Sequence, residues 1–182
     1  RGEGIPDQIN ITLMRHNFHQ LDEVYELGLS LGASALHIFM LVPVGCGQLL
    51  KEEDMLSSEQ YEEILKHICR LDEVGKLSVK VTCGPHYQRV MRQEGLYQQR
   101  NSENPVDSLS GHRAMSKGCL AGLGVLFVGH QGDVFPCGYL PVNCGNVFEI
   151  SLADIWKNNP ELARMRNAAE LKGKCGLCGY RE

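Results

Sequence analysis

The cysteines of the last third of the chain have the spacing of metal ligands. Cys119 precedes a glycine-rich stretch reading GVLFVGHQGDVFPC, in which Gly132 and four further residues lead to Cys137. CGLC then places two residues between Cys175 and Cys178. That spacing lets both sulfurs reach one metal centre from a tight turn, and Gly176 and Gly179 permit the bend. Lys172 and Lys174 would help hold the thiolates ionised. A redox CxxC is the competing reading, but it should follow a strand and open a helix, and this one follows a helix. Cys119 and Cys137 stand at the two feet of an expected hairpin, which suits a shared metal, a zinc site or a pair of free thiols. Cys144, in a glycine-flanked turn, is a candidate extra ligand.

A second group of polar residues falls at strand ends. Cys83, His86, Tyr87 and Arg89 lie in TCGPHYQR, directly after a predicted strand, and the carboxyl ends of parallel strands are where ligands bind in α/β sheets and barrels. VPVGCG, with Val44, Gly45 and Gly47, occupies the equivalent place after the preceding strand, where glycine allows close backbone approach. Asn10 and Thr12 share one face of the first strand. Arg15 stands at its carboxyl end and could meet an anionic ligand. His37 is either a hydrogen-bonded core histidine or, by alternation, a residue pointing into a barrel lumen. Cys46 and Cys69 read as buried packing residues.

The elements that must position these residues follow from periodicity. Ile9, Ile11 and Leu13 alternate as in a strand. Asn17 and Gln20 read as a capping box before a helix with Phe18, Leu21, Val24, Tyr25 and Leu31 at helical spacing, closed by Gly32. ALHIFMLV is a continuous apolar run, as in a strand buried on both faces of a parallel sheet. Ser57 and Gln60 cap a second helix with a stripe of Tyr61, Ile64, Leu65, Ile68 and Leu71, ended by Gly75. Leu77, Val79 and Val81 make a third strand. Strand–helix–strand–helix–strand with these crossover lengths predicts parallel pairing. Three strands cannot flank and cover such a sheet by themselves, so more strands are expected from another part of the protein or a partner. Residues 95–118 are polar and read as a linker. Beyond them a hairpin of Val125–Val128 and Asp133–Phe135 turns at Gly-His-Gln-Gly, Ser151 caps a short helix, and another follows Pro160. The piece 119–182 is small enough to need a metal to fold.

Composition narrows the classes. With 182 residues, 43% apolar and a net charge of −4, the chain shows no basic stripe for nucleic acid. The longest apolar run, Ala35 to Val44, falls short of the roughly 18 residues of a membrane span. Eight cysteines without a secretory signal suit reduced thiols and a cytoplasmic setting better than disulfides. The opening at Arg1 and the close soon after CGLC read as trimmed ends.

Cys119, Gly132-x4-Cys137 and Cys175-x2-Cys178 together resemble the opening of the SPASM domain, the C-terminal extension of many radical S-adenosylmethionine enzymes. PCGYLPV, GNV at Gly145 to Val147 and SLADIW match it in style. INITLMRHN and LHIFMLVPVGCG resemble the fifth and sixth strands of the radical enzymes' partial barrel. TCGPHYQRV is similar to the haem-synthesis branch, which acts on iron-coproporphyrin or related tetrapyrroles. The resemblance implies an α/β fold: the C-terminal strands and helices of a partial (β/α)6 TIM-like barrel over 1–94, a linker over 95–118, and a truncated SPASM-type module with a β-hairpin over 119–182.

It also implies chemistry. Cys119 and Cys137 would ligate a first auxiliary [4Fe–4S] cluster and Cys175 and Cys178 a second, each set incomplete here, while Cys144 falls outside the motif. Asn10, Thr12, Val44 and Gly45 would line an S-adenosylmethionine or substrate pocket, and Arg15, His86 and Arg89 would contact substrate propionates or iron. No catalytic residue is assigned. The CxxxCxxC motif for the cluster that cleaves S-adenosylmethionine is absent, so this stretch alone is expected to be inactive. The parent enzyme would bind that cluster and S-adenosylmethionine, form a 5′-deoxyadenosyl radical, take electrons from a donor protein, and convert two propionates of iron-coproporphyrin III to vinyls, giving haem b. Two alternatives stand beside it: a peptide-modifying maturase of the same superfamily, and a non-enzymatic zinc or iron–sulfur binding module.

Overall fold

The computed structural model of the chain describes residues 6–50, 52–96 and 119–179. The expected linker lies outside the described residues from position 97 on, as does the side chain of Cys175. The chain divides into two units, 1–118 and 119–182.

The first unit alternates strand and helix: β1 (Gln8–Leu13), α1 (Leu21–Leu31), β2 (Ala35–Met40), α2 (Ser58–Val74), β3 (Ser78–Thr82) and α3 (His86–Gln93). The three strands are parallel, in the order β1-β2-β3. Side chains alternate between the faces of a strand, and here the faces differ in kind. Leu13, Leu36, Ile38, Met40 and Val79 form one apolar face and pack with Leu21 and Tyr25 of α1, Ile64, Leu65 and Ile68 of α2, and Tyr87, Val90 and Met91 of α3. All three helices therefore contribute to the core on one side of the sheet. Burying such side chains is worth about 1.5–3 kcal/mol each relative to exposure.

The expectation that β2 is buried on both faces is corrected. Leu36, Ile38 and Met40 are buried, whereas Ala35, His37 and Phe39 are only partly so. The continuous apolar lettering hid a period of two, because Ala and Phe stand on the half-covered face.

Local signals account for most helix ends. Ser57 Oγ accepts from Gln60 N–H at 3.2 Å, and the Gln60 side chain accepts from Ser57 N–H at 2.9 Å, a complete capping box. Gly32 (φ +61°) and Gly75 (φ +69°) close α1 and α2 in the left-handed conformation. The capping box expected at Asn17 does not form. Asn17 Oδ1 instead accepts from Met14 N–H and its amide donates to Thr12 O, both at 2.9 Å. This staples the turn after β1, so a 3₁₀ turn (Phe18–Gln20) precedes the α-helix. Helix α3 begins at His86, in the stretch read chiefly as a ligand-binding turn. Its buried stripe is Tyr87, Val90 and Met91, and Tyr87 Oη donates to buried Asp72 of α2 at 2.9 Å.

The second unit is a small antiparallel sheet of β4 (Phe127–Val128), β5 (Asp133–Phe135) and β6 (Gly145–Asn146), in that order, followed by α4 (Leu152–Asn158), α5 (Pro160–Met165) and the single turn α6 (Gly173–Gly176). Ser151 and Asn159 cap α4 and α5 through their side chains. The core consists of Val134, Cys144, Ile155 and Leu162, with Leu126, Val147 and Trp156 packed against it. No helix among the described residues is long and apolar enough to cross a membrane.

Candidate functional site

In the second unit, Cys119 and Cys137 are brought onto adjoining backbone. Gly122 adopts φ +66°, and its N–H is shared between Val125 O and Pro136 O, each at 3.1 Å. The chain three residues after Cys119 is thereby tied to the residue preceding Cys137. Cys119 is exposed and Cys137 half-buried, and both are free thiols. Cys137 Sγ accepts from Tyr139 N–H at 3.3 Å.

Gly132 earns its place in the motif by geometry. Its φ is +85°, and an added Cβ would lie 2.6 Å from Phe148 Cδ2 and 2.7 Å from Asn146 Oδ1. Only glycine fits where the hairpin turn meets β6. The Asn146 amide donates to Gln131 O at 2.9 Å and to Asp133 at 3.2 Å, locking that junction.

Cys144 is set apart by its surroundings. It is 5% exposed in the core of this unit, and its thiol lies 3.6 Å from Val142 O. Burial pushes its pKa up, with Glu161 adding to the effect. In this geometry Cys144 packs within the core of the unit, beside Val134, Ile155 and Leu162. Cys175 lies in α6, and Cys178 follows it exposed. Among the described residues, no three metal-binding side chains converge on one point.

The donor chemistry nonetheless fits an iron–sulfur centre. Arg166 donates from Nε to Gly122 O at 2.9 Å and from Nη1 to Trp156 O at 2.7 Å, with its guanidinium 4.0 Å from the Trp156 ring centroid. Its Nη2 is buried and has no partner among the described residues. A buried guanidinium nitrogen with an open donor, on a side chain that is hydrogen-bonded to the loop after Cys119, suits an anionic group such as a thiolate-bound cluster.

In the first unit, the polar face of the sheet runs in rows. Asn10, His37 and Lys80 are register partners across the three strands, as are Thr12, Phe39 and Thr82. His37 Nε2 lies 2.6 Å from Thr82 Oγ1, and its ring stacks on Phe39 with centroids 4.2 Å apart. Asn10 and Thr12 are exposed on this face, and Asn10 Oδ1 accepts from Gln8 at 2.9 Å. At the carboxyl ends, Gly45 has φ +56° with nothing within 4 Å of an added Cβ, and half-buried Val44 precedes it. Cys83 takes φ +60°, rare for a non-glycine. Gly84 follows it with no room for a Cβ, since Val81 Cγ1 would be 2.8 Å away.

Of the three residues expected to meet substrate, two are exposed. Arg15 follows β1, and its backbone N–H donates to Asp54 O at 3.0 Å. His86 opens α3, edge-on to Tyr61. Burial, reinforced by Cys83, raises the Tyr61 pKa. Arg89 is differently placed. It pairs through both terminal nitrogens with Glu62 of α2 and also donates to Gln93 at 2.5 Å. Its guanidinium holds α3 to α2. Sequence reasoning missed Lys80, Phe39 and Arg166, whose roles depend on register and on contacts between distant segments.

Residues 119–179 match the SPASM family, an iron–sulfur cluster-binding domain. The whole chain is 42% identical to the AdoMet-dependent heme synthase of Methanosarcina barkeri, and 38% identical over 99% of its length to that of Nitratidesulfovibrio vulgaris. It spans 50% and 48% of those proteins, about half the length of the curated relatives it matches. The PqqA peptide cyclase of Gluconobacter oxydans is 26% identical over the whole chain, which covers 46% of it. Among solved structures, Streptococcus suis SuiB bound to S-adenosylmethionine shares the fold at TM-score 0.59 and 18% identity, over 99% of this chain and 40% of that one. Residues 119–179 thus match the SPASM iron–sulfur cluster-binding domain, and the chain along its whole length is similar to the AdoMet-dependent haem synthases, of which it spans about half.

Proposed function

We propose that this chain is part of a radical S-adenosylmethionine haem synthase that decarboxylates two propionates of iron-coproporphyrin III to vinyl groups. The observation that carries the reading is identity near 40% to haem synthases along the whole chain, against 26% to peptide cyclases. On this reading β1 to β3 belong to a partial (β/α)6 barrel whose polar face lines the reaction chamber. Asn10, Thr12, Val44 and Gly45 line the pocket for S-adenosylmethionine or substrate, and Arg15 and His86 stand at its rim. Cys119 and Cys137 hold one auxiliary cluster and Cys175 and Cys178 another.

Each propionate carboxylate that becomes a vinyl group releases carbon dioxide, a proton and two electrons. The 5′-deoxyadenosyl radical would take the proton and one electron as a hydrogen atom, and a bound auxiliary cluster would supply the acceptor for the second electron. The chain's own residues orient the macrocycle and keep water away. Gly132 and Asn146 hold the Cys137 limb, and Arg166 ties the Cys119 loop to Trp156. An electron-donor protein is the expected partner.

The test is anaerobic titration of the full-length protein with iron-coproporphyrin III, followed by turnover with S-adenosylmethionine and a reductant. The expected results are a Soret shift and a product lighter by one carbon dioxide and two hydrogens per propionate. A silent Soret band together with binding of a ribosomal peptide would overturn this reading in favour of a peptide maturase.

A further inference from the structure

The polar face of the β1-β2-β3 sheet is unusual for parallel strands. Faces of parallel sheets are ordinarily apolar and covered, and the opposite face of this one is. Yet Gln8, Asn10, Thr12, His37, Ser78, Lys80 and Thr82 all stand on the polar side. Among the described residues of the three strands this face carries no carboxylate, although the chain has 22 acidic residues against 18 Lys and Arg. Lys80 lies mid-strand on β3, directly across from His37, with its side chain exposed. It makes no ion pair among the described residues. A lysine at the middle of a parallel strand, on a face without carboxylates, is an anion receptor by position and charge.

Next to it is a flat surface. The His37 and Phe39 rings stack at 4.2 Å with a 32° tilt, and the His37–Thr82 contact at 2.6 Å fixes the imidazole. Charge beside a fixed aromatic pair matches a planar macrocycle that bears carboxylates at its edge.

We propose that Lys80 recognises a substrate carboxylate on the polar sheet face, while the His37–Phe39 pair supports the adjoining ring. This rests on the haem-synthase reading above and deepens it by naming the residues that read the substrate's charge. Lys80 acts as a specificity residue, and His37 is a positioning residue that acts through the stack.

The test uses the full-length holoenzyme and two probes, iron-coproporphyrin III and its tetramethyl ester, followed by Soret titration. The wild type should favour the free acid. Lys80→Met should weaken free-acid binding roughly tenfold, the size of one lost charge-assisted hydrogen bond, and leave the ester unchanged. Lys80→Arg should restore most of the preference, and iron content should match the wild type in both variants. Equal free-acid affinity in wild type and Lys80→Met would overturn the assignment while leaving the haem-synthase reading intact. Weakened S-adenosylmethionine binding with unchanged porphyrin binding would overturn it too, by giving Lys80 to the other carboxylate in the reaction. Absence of any Soret response in the wild type would overturn the underlying reading and this assignment with it.

Discussion

Two cysteines of the second unit, seven positions apart, have opposite surroundings. Cys137 is half-buried and takes a backbone N–H at its sulfur, whereas Cys144 is buried among Val134, Ile155 and Leu162 with its pKa raised. Their replacement should therefore separate binding from packing. Cys137→Ser should lower iron and acid-labile sulfide in anaerobically purified protein. Cys144→Val, close in volume and apolar, should leave both at wild-type levels and cost less than about 1.5 kcal/mol in stability. Iron lost equally from both variants would return Cys144 to the ligand set.

At the scale of elements, the ion pair between α2 and α3 offers a pH test. Arg89 holds the Glu62 carboxyl below the ordinary glutamate range, chiefly through the hydrogen bonds of its guanidinium. A carboxyl whose folded pKa is depressed stabilises above its unfolded value, about 4.3, and that contribution is lost as pH falls through the lower folded value. The side chains keep 34% and 23% of their exposure, so solvent screening limits the pair to about 1 kcal/mol. Urea unfolding should find Glu62→Gln weaker than the wild type by that amount at pH 7 and nearly equal to it near pH 3. An undiminished gap in acid would show that the loss came from packing. The elements themselves were largely legible in sequence where a cap and a period agreed, as at Ser57–Gln60 and Gly75. Helix α3 was only weakly legible because it spans only His86–Gln93 and its polar residues outnumber its stripe. Strand β6 was missed because two residues carry no period.

Across the whole chain, the two units differ in how much apolar core they possess. The first packs three helices on a sheet, while the second buries Val134, Cys144, Ile155 and Leu162 with little else. So small a core is expected to depend on a bound metal for stability. Removing iron with a chelator should raise amide exchange throughout residues 119–179 and leave that of β1 to β3 unchanged. Equal protection of both units without iron would show that the second unit folds on its own side chains.

The sequence alone determined the ligand candidates, the strand–helix alternation and the family resemblance, because thiol spacing, period and caps are properties of neighbours along the chain. It also marked Gly132, though not the reason for it. Only tertiary structure decided that Phe148 and Asn146 leave Gly132 no room for a side chain. It decided likewise that Arg89 is held by Glu62, that Cys144 belongs to a core, and that Lys80 stands opposite His37. Those outcomes depend on which distant segments meet and in what register, and a shift of one residue in β3 would have turned Lys80 to the other face.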